Sequence, residues 1–219
     1  MDLIKFEWLG LHLQEPMAII MNGLISLFCF FAFFRLRKWG SEANYWWRMF
    51  YLIFGISTFF GALGHAFFQY FDVYGKFPCW ITGCVANVCA AKGMLSFPHT
   101  KPMKYATQVA IAKSAVLLVL ALITQKFVFV AIDAIITYIA YTGVFAQLLA
   151  KRGLGEMKFM VIGVAVLIPS AFIFLLKLNP HRWMNKDDVS HILMLFCIYC
   201  FYLGMKSWGI RSSNKPENV

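Results

Sequence analysis

The sequence predicts an all-α integral membrane protein, a single domain built as a bundle of seven transmembrane helices. Hydrophobic residues make up 61% and charged residues 14% of the 219-residue chain, and its mean hydropathy is +0.68, whereas soluble domains carry about 25% charged residues. The 20 Lys and Arg residues stand in short clusters at the edges of apolar stretches. This pattern is typical of loops beside membrane spans and not of nucleic-acid binding.

Seven apolar stretches have the length of about 20 residues that a helix needs to cross a bilayer. A basic run at 35–38 closes the first, and the pair Trp46 and Trp47 opens the second, since such aromatics favour the headgroup layer. Pro78 and Pro98 bracket the third, residues 125–126 leave a tight turn after the fourth, and breaks at 153–155 and 179–180 flank the sixth. The predicted spans are 17–35, 48–71, 79–97, 105–124, 127–149, 159–177 and 189–209.

The two ends of the chain are predicted to lie outside the membrane. Residues 1–16 contain Asp2, Glu7 and Glu15 instead of the basic start of a signal peptide, so we expect a retained extramembrane segment there. The transmembrane domain is expected at 17–209 and a cytoplasmic tail at 210–219.

The distribution of Lys and Arg between alternate loops predicts the orientation. Eleven bases fall on the side of the first, third and fifth loops and the tail: Arg35, Arg37, Lys38, Arg48, Lys101, Lys104, Lys151, Arg152, Lys158, Arg211 and Lys215. Six fall on the other side: Lys5, Lys76, Lys126, Lys177, Arg182 and Lys186. The bias places the N-terminus outside and the C-terminus in the cytoplasm.

Ionisable residues inside apolar stretches are functional candidates, because charge is costly in hydrocarbon. His65 lies six residues before the end of the second span and Asp133 six residues after the start of the fifth, about 9 Å from the same membrane edge in each case. Asp187, Asp188 and His191 open the seventh span on that side. We therefore expect these residues to form one polar layer near the outer face.

Imidazole and carboxylate groups are normal zinc ligands, and the layer contains both. His65, His191 and one of Asp187 or Asp188 would supply three protein ligands, with water at the fourth position. Asp187 and Asp188 stand four and three residues before His191, so either pair shares a helix face. The alternative for these two acids is capping of the seventh helix. Asp133 is a candidate general base, with Ser57 as a second candidate for a catalytic role.

The layout resembles the superfamily of alkaline ceramidases and progestin and adiponectin receptors. His65 near the end of the second span and His191 at the opening of the seventh match the positions of that superfamily's zinc-binding histidines. This chain has Asp187 where the superfamily has another His, and Gly61 where it has a Ser. The resemblance implies a zinc-dependent hydrolase that acts on a lipid or amphipathic amide or ester, with membrane lipids and a lipid-like substrate as partners.

Two other classes of protein would use the same polar layer for a purpose other than hydrolysis. In a receptor, transporter or channel, the two His, Asp133 and Lys113 would bind a ligand or carry protons. In a structural subunit, the layer would serve assembly with a partner. A bacterial inner membrane and a eukaryotic endomembrane or plasma membrane are all consistent with the sequence.

Overall fold

The structure, a computed structural model, describes residues 4–36, 41–97, 105–176, 178–181 and 183–213. Long helices dominate this part of the chain, as predicted. They are α1 (Pro16–Arg35), α2 (Glu42–Ala66), α3 (Phe77–Leu95), α4 (Ala106–Thr124), α5 (Val128–Lys151), α6 (Lys158–Leu175) and α7 (Lys186–Ser213).

Five of these helices, α1, α2, α4, α5 and α7, are long and apolar enough to cross a membrane. Large apolar side chains such as Leu27, Phe34 and Ile123 are exposed on their outer faces. Contiguous exposed apolar surface of this kind is typical of a protein that contacts lipid. The all-α and membrane-helix predictions are confirmed at this level.

The boundaries differ from the predicted ones at several points. α2 begins six residues earlier than predicted and ends at Ala66, where a short helical turn (Phe68–Phe71) and a 3₁₀ turn (Asp72–Lys76) connect it to α3. α7 continues to Ser213, so the first residues of the predicted tail are helical. Residues 1–3 of the predicted N-terminal segment, 214–219 of the tail and several predicted loop bases lie outside the described residues; these bases are Arg37, Lys38, Lys101, Lys104, Lys177, Arg182 and Lys215.

The predicted N-terminal segment contains an antiparallel β-hairpin of strands β1 (Lys5–Trp8) and β2 (Leu11–Gln14). The two turn residues, Leu9 and Gly10, both have positive φ, the geometry that matches the twist of paired strands. The backbone N–H of His12 donates to the hydroxyl of Tyr70 at 3.0 Å. The hairpin is thereby attached to the turn that follows α2.

α2 packs between α1 and α3, α6 packs against α7, and α7 also contacts α1. The core between them contains the fully buried aromatic side chains of Trp47, Phe50, Tyr51 and Phe201. The hydroxyl of Tyr51 donates to the backbone oxygen of Ile198 at 2.9 Å, which fixes α2 against α7.

Contacts between loops define two ends of the bundle. At one end, the side chain of Gln125 donates to the hydroxyl of Tyr74 at 3.0 Å, so the turn after α4 lies beside the turn after α2. At the other end, Arg211 donates to the backbone oxygen of Gly153 at 2.7 Å. The end that carries the hairpin, the 68–76 turns and the start of α7 contains the candidate site.

α5 is interrupted by a π-helical segment, Thr137–Gly143. Such segments are rare and are frequently found at functional sites. This segment begins four residues after Asp133, so it sets the surroundings of a predicted site residue.

Candidate functional site

Seven ionisable side chains gather at the hairpin end of the bundle, and we name them the polar end cluster. They are Glu15, His65, Lys76, Lys186, Asp187, Asp188 and His191. The cluster draws on the start of α1, the end of α2, the turn before α3 and the first two turns of α7. Its assembly confirms that the two predicted His and the acids of α7 lie at one end of the molecule.

Glu15 is fixed in the cluster by an unusual backbone conformation. It has φ 54° and ψ 58°, a left-handed region that costs a non-glycine residue about 1 kcal/mol or more. Pro16 follows directly and starts α1. In this conformation the Glu15 carboxylate lies 2.7 Å from Nδ1 of His65, so the local cost is offset by a part-buried, charge-assisted hydrogen bond.

Lys76 approaches the same nitrogen of the imidazole. The approach depends on Gly64, since a Cβ at this position would lie 2.8 Å from the backbone oxygen of Gly75. Without a side chain at 64, the turn before α3 packs directly on α2. The Nζ of Lys76 consequently lies 3.4 Å from Nδ1 of His65.

The charges of this group shift the pKa values of its two members outside the spans. Burial raises the pKa of Glu15, but the hydrogen bond and charge of His65, helped by Lys76 and Lys186, hold it below its ordinary value. Burial lowers the pKa of Lys76, and the carboxylates of Glu15 and Asp187 counteract this only in part. Glu15 therefore stays ionised at neutral pH.

The start of α7 is capped by Asn185. Its side-chain oxygen accepts the backbone N–H groups of Asp187 at 2.7 Å and Asp188 at 3.1 Å, and Oδ2 of Asp188 accepts the N–H of Asn185 at 2.9 Å. This is a reciprocal capping box. The capping interpretation of the acids is thus confirmed for Asp188.

Asp188 and His191 each keep a buried polar atom that has no hydrogen-bond partner among the described residues: Oδ1 of Asp188 and Nδ1 of His191. The Asp188 residue is 2% exposed. Its neighbour Asp187 differs, because its carboxylate is 29% exposed and lies 2.6 Å from Nζ of Lys186. Buried polar groups in proteins nearly always have a partner, which is often ordered water, so these two atoms are open to water or to another bound group.

The surroundings of His65 limit how it could bind a metal ion. Nδ1 of His65 is bonded to Glu15, which leaves Nε2 as the nitrogen for a metal ion, and the nearby ammonium group of Lys76 repels a second cation. Within residues 4–36, 41–97, 105–176, 178–181 and 183–213, no three His, Cys, Asp or Glu side chains are grouped as a metal ion requires.

The structure separates Asp133 from the polar end cluster. Gly61 of α2 lies beside Cys79 of α3. Asp133 faces Cys84, which lies five residues further along α3 than Cys79. His65 is one helical turn beyond Gly61 in the opposite direction. These offsets place Asp133 roughly 13 Å deeper along the bundle than His65.

Asp133 is instead the centre of a buried network between α3, α4 and α5. Its side chain is 0% exposed, and Oδ1 lies 2.5 Å from Nζ of Lys113. Ser114 donates to Oδ1 and Asn87 to Oδ2, each at 2.7 Å. The ammonium group of Lys113 also donates to the backbone oxygen of Asp133 at 2.9 Å and to the hydroxyl of Thr137 at 2.7 Å. This saturated ion pair holds the start of the π-helical segment.

Ser57 is used for helix packing. Its hydroxyl donates to the backbone oxygen of Cys79 at 2.8 Å and is buried between α2 and α3. It lies two helical turns from His65, about 12 Å along α2.

Sequence reasoning placed Glu15 on the side of the polar layer without assigning it a role in the site, and it left Lys76 out, although both complete the His65 environment. One signal was present for each: an acid directly before the proline that starts a span, and a base directly before the next span. Lys113, whose place in the sequence lies within the fourth span, becomes the direct partner of Asp133.

The chain matches a family of unknown function, DUF6962, over residues 17–209. No curated protein and no solved structure matches the chain.

Proposed function

Since the chain belongs to DUF6962, a family of unknown function, we propose from its geometry that it is a non-enzymatic membrane receptor or transporter. In this proposal all seven long helices span the bilayer, the hairpin end faces outward and the C-terminus is cytoplasmic, following the predicted charge bias. The polar end cluster binds the ligand or proton.

The main observation behind the proposal is the set of charged groups that contact the His65 imidazole. Glu15 bonds it at 2.7 Å and Lys76 approaches it to 3.4 Å, so the group is part of a charge-paired network. Such a network binds and releases protons or polar ligands through its own charges. The unpartnered buried atoms of Asp188 and His191 provide the contacts for that ligand.

The test is flux or ligand binding in liposomes reconstituted with the full chain, measured with and without a metal chelator. We expect the activity to survive the chelator and to fall in Glu15→Gln, which removes the charge beside His65. Glu7→Gln is the matched control, because Glu7 is an exposed acid on the same N-terminal segment. An activity that disappears with the chelator would refute the proposal.

The zinc hydrolase implied by the resemblance is the second candidate. It is favoured by one observation: His191 lies within electrostatic range of both His65 and Asp187, so three of the predicted ligands share a region. Stoichiometric zinc in the purified protein, lost in both His65→Ala and His191→Ala, together with cleavage of ceramides or acyl-amides, would establish it in place of the first.

A further inference from the structure

We propose that the polar end cluster binds a primary ammonium group, held between Oδ1 of Asp188 and Nδ1 of His191. The inference rests on the proposed function, because it names the ligand class of the same cluster. It starts from the two buried atoms that have no partner among the described residues.

The positions of the two atoms suit one small donor group. Asp188 and His191 are three residues apart on α7, so their side chains lie on one face with Cβ atoms about 5–6 Å apart. The proposal places a single nitrogen between Oδ1 and Nδ1, at about the 2.9 Å of an ordinary hydrogen bond from each. A primary ammonium carries three N–H donors and therefore satisfies both acceptors at once.

Charge favours a cation at this position. The cluster contains three carboxylates, of Glu15, Asp187 and Asp188, and two ammonium groups, of Lys76 and Lys186. The formal charge of these five groups is −1. The excess belongs to Asp188, because Asp187 is paired with Lys186 and the charge of Glu15 is compensated by that of Lys76. A cationic donor compensates this buried charge, and a neutral one does not.

An anion is disfavoured even though the start of a helix usually attracts one. The first four backbone N–H groups of α7 are already bonded. The N–H of Lys186 donates to the side chain of Asn179, and the N–H groups of Asp187 and Asp188 donate to the side chain of Asn185. The N–H of Val189 donates to the backbone oxygen of Asn185. What remains open to a ligand is an acceptor, the second oxygen of Asp188.

The ammonium has two possible sources at the end of a membrane bundle. It belongs either to a soluble primary amine or to the headgroup of phosphatidylethanolamine. Both present the same –NH₃⁺ group to Asp188 and His191, and the choice of bilayer in the experiment separates them.

The experiment measures the thermal unfolding of the full chain in phosphatidylcholine nanodiscs, titrated with ethanolamine and, separately, with choline. We expect ethanolamine to raise the Tm and choline to leave it unchanged, because a quaternary ammonium has no N–H donor. Nanodiscs that contain phosphatidylethanolamine form the second arm. If the lipid is the source, the Tm is already raised there and ethanolamine adds nothing; if a soluble amine is the source, ethanolamine acts equally in both.

Asp188→Asn is expected to weaken the ethanolamine response at least about tenfold, since it removes the charge but keeps an oxygen for the capping box. His191→Leu is the second variant; it removes the other acceptor without breaking a described hydrogen bond, and circular dichroism verifies that both variants fold. Glu7→Gln is the matched control and should change the response by less than about twofold, because Glu7 is an exposed acid outside the polar end cluster.

Three results would overturn the inference. The wild type could respond equally to choline and ethanolamine, or it could respond to neither in either bilayer. The third is an ethanolamine response that is unchanged in Asp188→Asn. If the ammonium response is absent while chelator-resistant flux or binding persists, the ligand class is wrong and the proposed function stands. If the chelator abolishes that activity, the proposed function fails whatever the ammonium result.

Discussion

The ion pair of Lys113 and Asp133 leads to a prediction about stability. Lys113→Met removes the ammonium group that contacts Oδ1 of Asp133 and leaves a carboxylate with 0% exposure and only the donors of the remaining neighbours. Breaking one side of a buried ion pair costs about 3–5 kcal/mol, because the remaining charge loses its compensation. We expect Lys113→Met to destabilise the protein by that amount.

Replacement of both partners should cost much less. In Lys113→Met/Asp133→Leu no uncompensated charge remains, and apolar replacements of a buried pair are often neutral. The residual cost comes from Asn87 and Ser114, which lose the carboxylate as acceptor. Hydrogen bonds between membrane helices contribute about 0.6 kcal/mol on average, so the double variant should lose about 1–2 kcal/mol.

The assay is the unfolding of each variant in bicelles by denaturant titration, followed by circular dichroism. Lys92→Met is the matched control, since Lys92 is also a lysine on a long helix but its Nζ lies over the ring of Trp46, 3.9 Å from the centroid, an interaction of about 0.5–2 kcal/mol. The reasoning is refuted if the double variant loses the sum of the two single losses, or if Lys113→Met loses no more than Lys92→Met.

Three further predictions concern the other features of the fold. The pKa of Glu15 is lower in the folded than in the unfolded protein, so its contribution to stability is present above the unfolded pKa and is lost as the pH falls through the folded one. The Tm of the wild type should therefore exceed that of Glu15→Gln at pH 7, and this difference should shrink towards pH 3. A Tm difference that stays constant with pH would contradict the prediction. Gly64→Ala should destabilise the protein by about 1–3 kcal/mol, because the added Cβ would lie 2.8 Å from a backbone oxygen. Gly23→Ala is the control: its Cβ would have no atom within 4 Å, so this variant should be neutral or more stable by up to about 1 kcal/mol. Denaturant titration of both variants measures the two free energies of unfolding. Tyr51→Phe should lower the free energy of unfolding by about 0.5–1.5 kcal/mol, because it removes the hydrogen bond to the backbone of Ile198. Tyr138→Phe should lower it by no measurable amount, because the buried hydroxyl of Tyr138 has no partner among the described residues. Equal losses of stability in the two variants would contradict this prediction.

Composition and hydropathy were sufficient for the class of fold. Long apolar stretches separated by basic and breaking residues predict membrane helices because the bilayer imposes a length and excludes charge, and the observed helices lie where those stretches lie. Sequence position and helix rise also brought His65, Asp187 and His191 to one end. The N-terminal hairpin and the π-helical segment were not predicted, because each depends on contacts with distant residues, such as Tyr70 and Lys113.

The sequence by itself determined which residues are expensive to bury and near which end of the bundle most of them lie. Only the tertiary structure decided their partners. Depth along a helix does not fix the direction of a side chain, and Asp133 turned to Lys113 while His65 turned to Glu15 and Lys76. Since the energy of a charge in a membrane protein depends on its nearest counter-charge and donors, these pairings decide the chemistry of the site. They place His65 in a charge-paired network and leave two acceptors without a described partner on α7.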